Sequence, residues 1–174
     1  MSKAVLFSIK PKYCELIASG KKKIEVRKTK PKLDMPFKCY IYCTKPSKKH
    51  QTICGCMILN SDELYRHPKQ GIKYGDSIEL MCCNDEYSKD NFLNGKVIGE
   101  FVCDTIITDR TFGYDSMFNA LSCMSYAEIA SYYTKNEMYG LHISDLVIYD
   151  KPKELSEFGL NRPPQSWGYV EELI

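Results

Sequence analysis

Three periodicities follow one another in the first 27 residues, and their order limits what the chain can become. Ala4-Val5-Leu6-Phe7-Ser8-Ile9 is a continuous apolar run of strand length, ended by Lys10-Pro11. Pro11 suits the first turn of a helix, where its missing N–H has no intrahelical partner to lose. Tyr13, Leu16 and Ile17 then recur at helical spacing and Gly20 is a natural stop, so a helix is expected over residues 11 to 19. Lys23-Ile24-Glu25-Val26-Arg27 alternates polar and apolar residues, the period of a half-buried strand. Ile24 and Val26 should face inward, and Lys23, Glu25 and Arg27 should share the outer face.

Strand patterns dominate the remainder. Phe37 to Cys43 is rich in aromatic and β-branched residues; Ile53 to Leu59 and Ser77 to Cys83 are further strand-like runs, joined by a polar stretch. Residues 84 to 95 are polar and expected to form an exposed loop. Lys96 to Thr108 reads as one long strand, Leu141 to Tyr149 as another, and Gly168-Tyr169-Val170 as a short last one. Ser125-Tyr126-Ala127-Glu128 matches a capping box and predicts a helix over residues 126 to 135. The class is therefore α+β, around a strongly bent sheet or small barrel. With 174 residues, 44% of them hydrophobic, one domain over residues 1–174 is expected.

Charge is distributed unevenly. Residues 1–50 carry 14 Lys and Arg against Glu15, Glu25 and Asp34, a net +11, whereas the rest of the chain is at −9. Such a separation suits a basic face that follows phosphates, although charge runs are also commonly just solvated surface. The nine cysteines sit mostly inside apolar segments, where a free thiol behaves as a small hydrophobe. Their C-x-C and C-C spacings lack the C-x₂-C pattern of a tetrahedral zinc site, so no metal and no cofactor is expected. The N-terminus has no leader-like apolar region and no stretch is long enough to span a bilayer, so a cytoplasmic protein without a membrane partner is expected.

Ser8-Ile9-Lys10-Pro11-Lys12-Tyr13, followed by Ile17, Gly20, Lys22, Glu25 and Arg27, resembles the opening signature of the ASCH (activating signal cointegrator homology) family. The resemblance resumes at Tyr40-Ile41-Tyr42, at Val97 to Phe101, and at Pro163-Pro164-Gln165-Ser166-Trp167-Gly168-Tyr169-Val170. It is strongest to small ASCH proteins of bacteria and their phages, and residues 45 to 95 look like an insertion. It implies a PUA-like mixed β-barrel with flanking helices, and a cleft framed by the first helix, the K-x-x-E-x-R strand and the C-terminal segment. Many such proteins are thought to bind RNA, a few small relatives are amidohydrolases of acylated cytidine, and ribonuclease activity has been attributed to others.

On this resemblance the ligand-binding candidates are Lys10, Lys22, Glu25, Arg27, Gln165 and Ser166, with Lys22 and Glu25 as the only catalytic candidates. Simple alternation sets Lys23 beside Glu25 and Arg27, but the resemblance favours Lys22, on the turn before the strand and pointing into the cleft. Glu25 and Arg27 share a strand face, where an ion pair would hold the guanidinium in one orientation, or would be an exposed pair serving no ligand. Pro163 and Pro164 should hold Gln165 and Ser166 in an extended segment. Trp167 can stack on a base, but a lone Trp is more often core. The amidohydrolase relatives are thought to place a Thr nucleophile where this chain has Glu25. With Arg27 on the same face, Glu25 is expected to be an ion-pair carboxylate rather than a nucleophile or general base. Their separate Glu could correspond to Glu128 or Glu137. The expected function is binding of RNA or a nucleotide-like ligand; the alternatives are a metal-independent hydrolase of a nucleotide derivative or RNA, and a module that docks a protein partner.

Overall fold

The computed structural model describes residues 2–45, 52–58, 72–73, 79–83, 93–111, 113–133 and 137–173. The elements run β1 (Lys3–Ile9), α1 (Pro11–Ala18), β2 (Ile24–Arg27), β3 (Phe37–Cys43), β4 (Thr52–Ile58), β5 (Ile72–Lys73) and β6 (Glu79–Cys83). They continue with β7 (Val97–Cys103), β8 (Ile106–Asp109), α2 (Ser116–Ser122), α3 (Tyr126–Tyr132), β9 (Met138–His142), β10 (Ser144–Lys153), a 3₁₀ turn (Leu155–Phe158) and β11 (Trp167–Glu171). The mixed α+β class expected from the sequence is what forms.

A six-stranded sheet in the order β11-β1-β3-β7-β10-β5 is the frame, with a three-stranded sheet β2-β9-β8 and a β4-β6 pair beside it. β1 pairs parallel with β3 and antiparallel with β11, and both of its faces are covered. Val5, Phe7 and Ile9 enter the main core, while Ala4 and Leu6 enter a second one with Tyr40 and Phe158. That double burial is why the run reads as continuously apolar rather than alternating. α1 starts at Pro11 and lays Cys14, Ile17 and Ala18 on the main core, and Gly20 follows it at φ 68°, the left-handed conformation a stop requires.

Two expected strands are each broken in two. The 96–108 run divides between β7 and β8, and the 141–149 run between β9 and β10. The same antiparallel pair passes from the large sheet, where Ser144 faces Val102, into the small one, where Leu141 faces Ile106. The corner is fastened by His142 N–H to Thr105 O at 2.9 Å and Ile143 N–H to Lys23 O at 2.9 Å. Periodicity continues across such a corner, so the sequence shows one strand where the fold makes two. Among the described residues no ladder joins β11 to β5 to close the large sheet into a barrel.

α3 forms with the expected capping box: Ser125 Oγ accepts from Glu128 N–H, and Glu128 accepts from Ser125 N–H. α2 was not expected. It is a seven-residue helix whose N-cap is Asp115, accepting from Met117 and Phe118 N–H, and it buries Phe118 against Ile24, Val26, Ile129 and Met138. β4 and β6 lie close to the expected 53–59 and 77–83 strands. Of the exposed loop expected over 84–95, residues 84–92 lie outside the described residues, and Leu93 departs from the expectation because its side chain is buried in the main core.

Candidate functional site

β2 carries the largest departure from the sequence pattern. It is buried along its whole length, not on one face: Glu25 and Arg27 are each 6% exposed, and Lys22, on the turn before it, 2%. Glu25 is the hinge of the cluster. Its Oε1 takes the Arg27 guanidinium at 2.8 Å and its Oε2 lies 3.6 Å from Lys22 Nζ. The exposed, ligand-independent pair that the alternation allowed is thus replaced by a buried triad of one anion and two cations. Lys22, not Lys23, is the third member, because β2 begins only at Ile24 and leaves Lys22 free to turn inward.

Each cation has further partners. Lys22 Nζ donates to Ser122 O at 2.8 Å, at the end of α2, and lies 4.9 Å from the centre of the Tyr13 ring. Arg27 donates to Ser8 O at 2.9 Å and to Ser166 Oγ at 3.1 Å, and its guanidinium sits 5.1 Å from the centre of the Phe7 ring. Burial lowers the Lys22 pKa from its ordinary value, and the Glu25 carboxylate opposes that shift. Among the described residues, Glu25 Oε2 and Arg27 Nε are buried polar atoms with no hydrogen-bond partner.

The triad lies in a cleft of about 710 Å³. α1 contributes Tyr13, α3 contributes Glu128, Ser131 and Tyr132, and the C-terminal segment contributes Gln165 and Ser166; Lys10, Lys28, Thr29 and Thr44 complete the polar lining with Ser8. All six ligand-binding candidates are therefore brought together. The C-terminal segment is tied down by Ser8, whose N–H donates to Ser166 O at 3.0 Å and whose Oγ donates to Pro164 O at 2.6 Å. Gln165 and Lys10 are exposed at the mouth, while the triad forms the floor.

Of the two carboxylates left open by the sequence, Glu128 reaches the cleft. Lys12 Nζ lies 2.9 Å from it and Tyr13 O–H donates to it at 3.4 Å, joining α1 to α3; the Lys12 contact holds its carboxyl down to about 2. Glu137 is elsewhere, paired with Arg110 at 3.2 Å. Burial raises the pKa of Tyr13 and of Tyr132, and Lys28 Nζ sits 4.6 Å from the Tyr132 ring centre. Ser131 was missed in the sequence, and Tyr132, which reads there as packing beside the helix and not as a stacking platform, lines the cleft; they follow Glu128 by three and four residues, the spacing of one helix face. Trp167 is half-buried, packs on the main core and donates to Thr29 Oγ1 at 3.2 Å, so it packs rather than presenting a free face.

Carboxylate, ammonium and guanidinium pair electrostatically at these distances, with Glu25 held between the two cations, while Glu25 Oε2 and Arg27 Nε keep unused hydrogen-bonding capacity at the cleft floor. The arrangement is suited to fixing donors in place more than to moving protons.

In three dimensions the chain is similar to an ASCH protein from Zymomonas mobilis, with a TM-score of 0.62 at 16% identity over 97% of this chain and 88% of that one. Structures of two point mutants of that protein are similar too, with TM-scores of 0.62 and 0.61, covering 98% and 97% of this chain and 92% and 89% of theirs. No family model matches the sequence, and no curated protein matches it. The fold is that of ASCH proteins.

Proposed function

We propose that this ASCH-fold chain is a binding protein whose cleft takes a nucleotide-like ligand, presented by RNA. The observation that carries the reading is the lining itself. Lys10, Lys22, Arg27 and Lys28 against Glu25 and Glu128 give a net +2, set among hydroxyl groups, one amide and two tyrosine rings. Cations serve phosphates, aromatic rings serve bases, and a pre-ordered guanidinium offers planar donors. The bent β7-β8 and β9-β10 ribbon that links the two sheets supports a PUA-like barrel as the architecture behind this cleft, with residues 45–95 inserted into it.

Lys10 and Lys28 are the cations for phosphate, and Lys22, Glu25 and Arg27 form the fixed floor against which the ligand is read. The test is titration of a labelled single-stranded RNA at several salt concentrations. Each phosphate contact on a single strand contributes about 0.7 to the slope of log K against log salt, so Lys10→Ala and Lys28→Ala should each flatten it by about that much. Free mononucleotide should compete, and Gln165→Ala should weaken binding with the slope unchanged. Slopes that stay the same in both lysine variants would remove the cleft as the contact surface.

A further inference from the structure

β11 is the outer strand of the large sheet and pairs only with β1 among the described residues. The direction of its backbone groups follows from the register. Ser8 N–H donates to Ser166 O and Glu172 N–H to Ser2 O, both at 3.0 Å, so the even-numbered residues of this segment exchange hydrogen bonds with β1. In an antiparallel ladder those positions alternate with ones whose N–H and C=O point the other way. Trp167, Tyr169 and Glu171 therefore turn their backbone groups outward, and no strand among the described residues receives them. Such an edge is a template for another strand.

A groove of about 720 Å³ lies beside this edge, on the far side of β1 from the cleft floor. Phe158, Leu160, Val170 and Leu173 give it an apolar floor. Gly159, at φ 70°, leaves the space over its Cα open, with nothing within 4 Å of where a Cβ would stand. Glu157, Glu171 and Glu172 against Lys3 leave the lining at −2, and Glu171 is exposed and makes no ion pair among the described residues.

We propose that this edge and groove take an extended peptide segment of a partner protein, alternating apolar and Lys or Arg residues, by addition as a strand to β11. The backbone edge requires a polypeptide. Glu157 is already paired with Lys153 at 3.9 Å and Glu172 with Lys38 at 3.5 Å, so it is Glu171 that favours a cation over a phosphate chain. Alternation follows from the pleat. Val170 lies on the face that carries Phe158 and Leu160, so every second residue of the added strand meets apolar floor; the residues between them meet Tyr169 and Glu171. A cation there finds a carboxylate and a ring, as Lys3 Nζ already lies 5.9 Å from the Tyr169 ring centre. This surface is independent of the cleft, so either reading can fail alone.

The experiment measures anisotropy of a labelled peptide of about eight residues, long enough to span the strand, alternating valine and lysine, with a valine–glutamate peptide as control. The lysine peptide should bind saturably and the glutamate peptide should not. Tyr169→Pro removes one outward N–H while sparing the bonds to β1, and should cost at least about tenfold in affinity; Tyr169→Ala keeps that N–H and should stay within about threefold of the parent. Glu171→Gln, which removes the open carboxylate at an exposed position, should weaken binding of the lysine peptide and not of the control. Equal affinity for the two peptides, or equal effects of Pro and Ala at position 169, would overturn strand addition. So would a dimer of the chain that Tyr169→Pro abolishes, since the edge would then belong to a second copy.

Discussion

Glu25→Gln tests the buried triad most directly, because it keeps the side-chain volume and removes the one anion between two buried cations. Lys22 and Arg27 have side chains only 1% and 7% exposed, so neither can turn to water when its counter-ion is lost. Stranding a buried charge in this way costs roughly 3–5 kcal/mol. The lower end applies here. Lys22 keeps Ser122 O and the Tyr13 ring, and Arg27 keeps Ser8 O, Ser166 Oγ and the Phe7 ring. About 3 kcal/mol corresponds to a fall in Tm of roughly 6–12 °C for a chain of this size, measured by calorimetry alongside urea unfolding. A second signature separates charge from packing. Glu25 opposes the lowering of the Lys22 pKa, so its removal lowers that pKa further below the ordinary 10.5. A lysine depressed in the folded state binds fewer protons there than in the unfolded chain, so stability rises with pH between its folded pKa and 10.5. The variant should show a steeper rise over that window than the parent. A variant within about 1 kcal/mol of the parent at neutral pH, with an unchanged alkaline slope, would refute the view of the triad as an uncompensated-charge trap.

Gly99→Ala should destabilise by about 1–3 kcal/mol or prevent folding, since its Cβ would stand 2.4 Å from the backbone oxygen of Val147, an atom that cannot swing aside; urea unfolding reads this. The Lys12–Glu128 pair is partly exposed, at 62% and 37%, so its loss in Lys12→Ala should cost no more than about 1 kcal/mol. Its pH dependence has a definite sign. With the Glu128 carboxyl held to about 2 against an ordinary 4.5, the contribution is present above 4.5 and fades as pH falls through 2; Lys12→Ala should remove part of that fading from a Tm-against-pH profile, the Ser125 hydrogen bonds keeping the rest. Purified protein should release negligible cytidine from N4-acetylcytidine, because Glu25 stands where the amidohydrolase relatives are thought to carry a Thr and is occupied by Lys22 and Arg27. Turnover at an enzyme-like rate, abolished by Glu25→Gln in folded protein, would reverse that conclusion.

Local rules determined a good part of this protein. Pro11 and Gly20 bound α1, Ser125 and Glu128 start α3, and the apolar run of residues 4–9 is of strand length and lies in β1; each is settled by groups a few residues apart. The resemblance also placed Lys10, Lys22, Glu25, Arg27, Gln165 and Ser166 about one cleft, and all six line it. What the chain alone did not reveal depends on distant surfaces. Alternation in β2 promised a wet outer face, but α1 and the Ser122 end of α2 close over Lys22, and the 164–166 segment lies over Arg27, so the basic charges that looked like surface became a buried cluster. α2 escaped notice because seven residues show too little periodicity, and only Asp115 marked its start. The 96–108 and 141–149 runs each looked like one strand because hydrophobic pattern survives a corner between sheets, although β10 then continues to Lys153. The outward edge of β11 is likewise a fact of register, set by which residues of β1 it meets and therefore invisible until the two strands are paired.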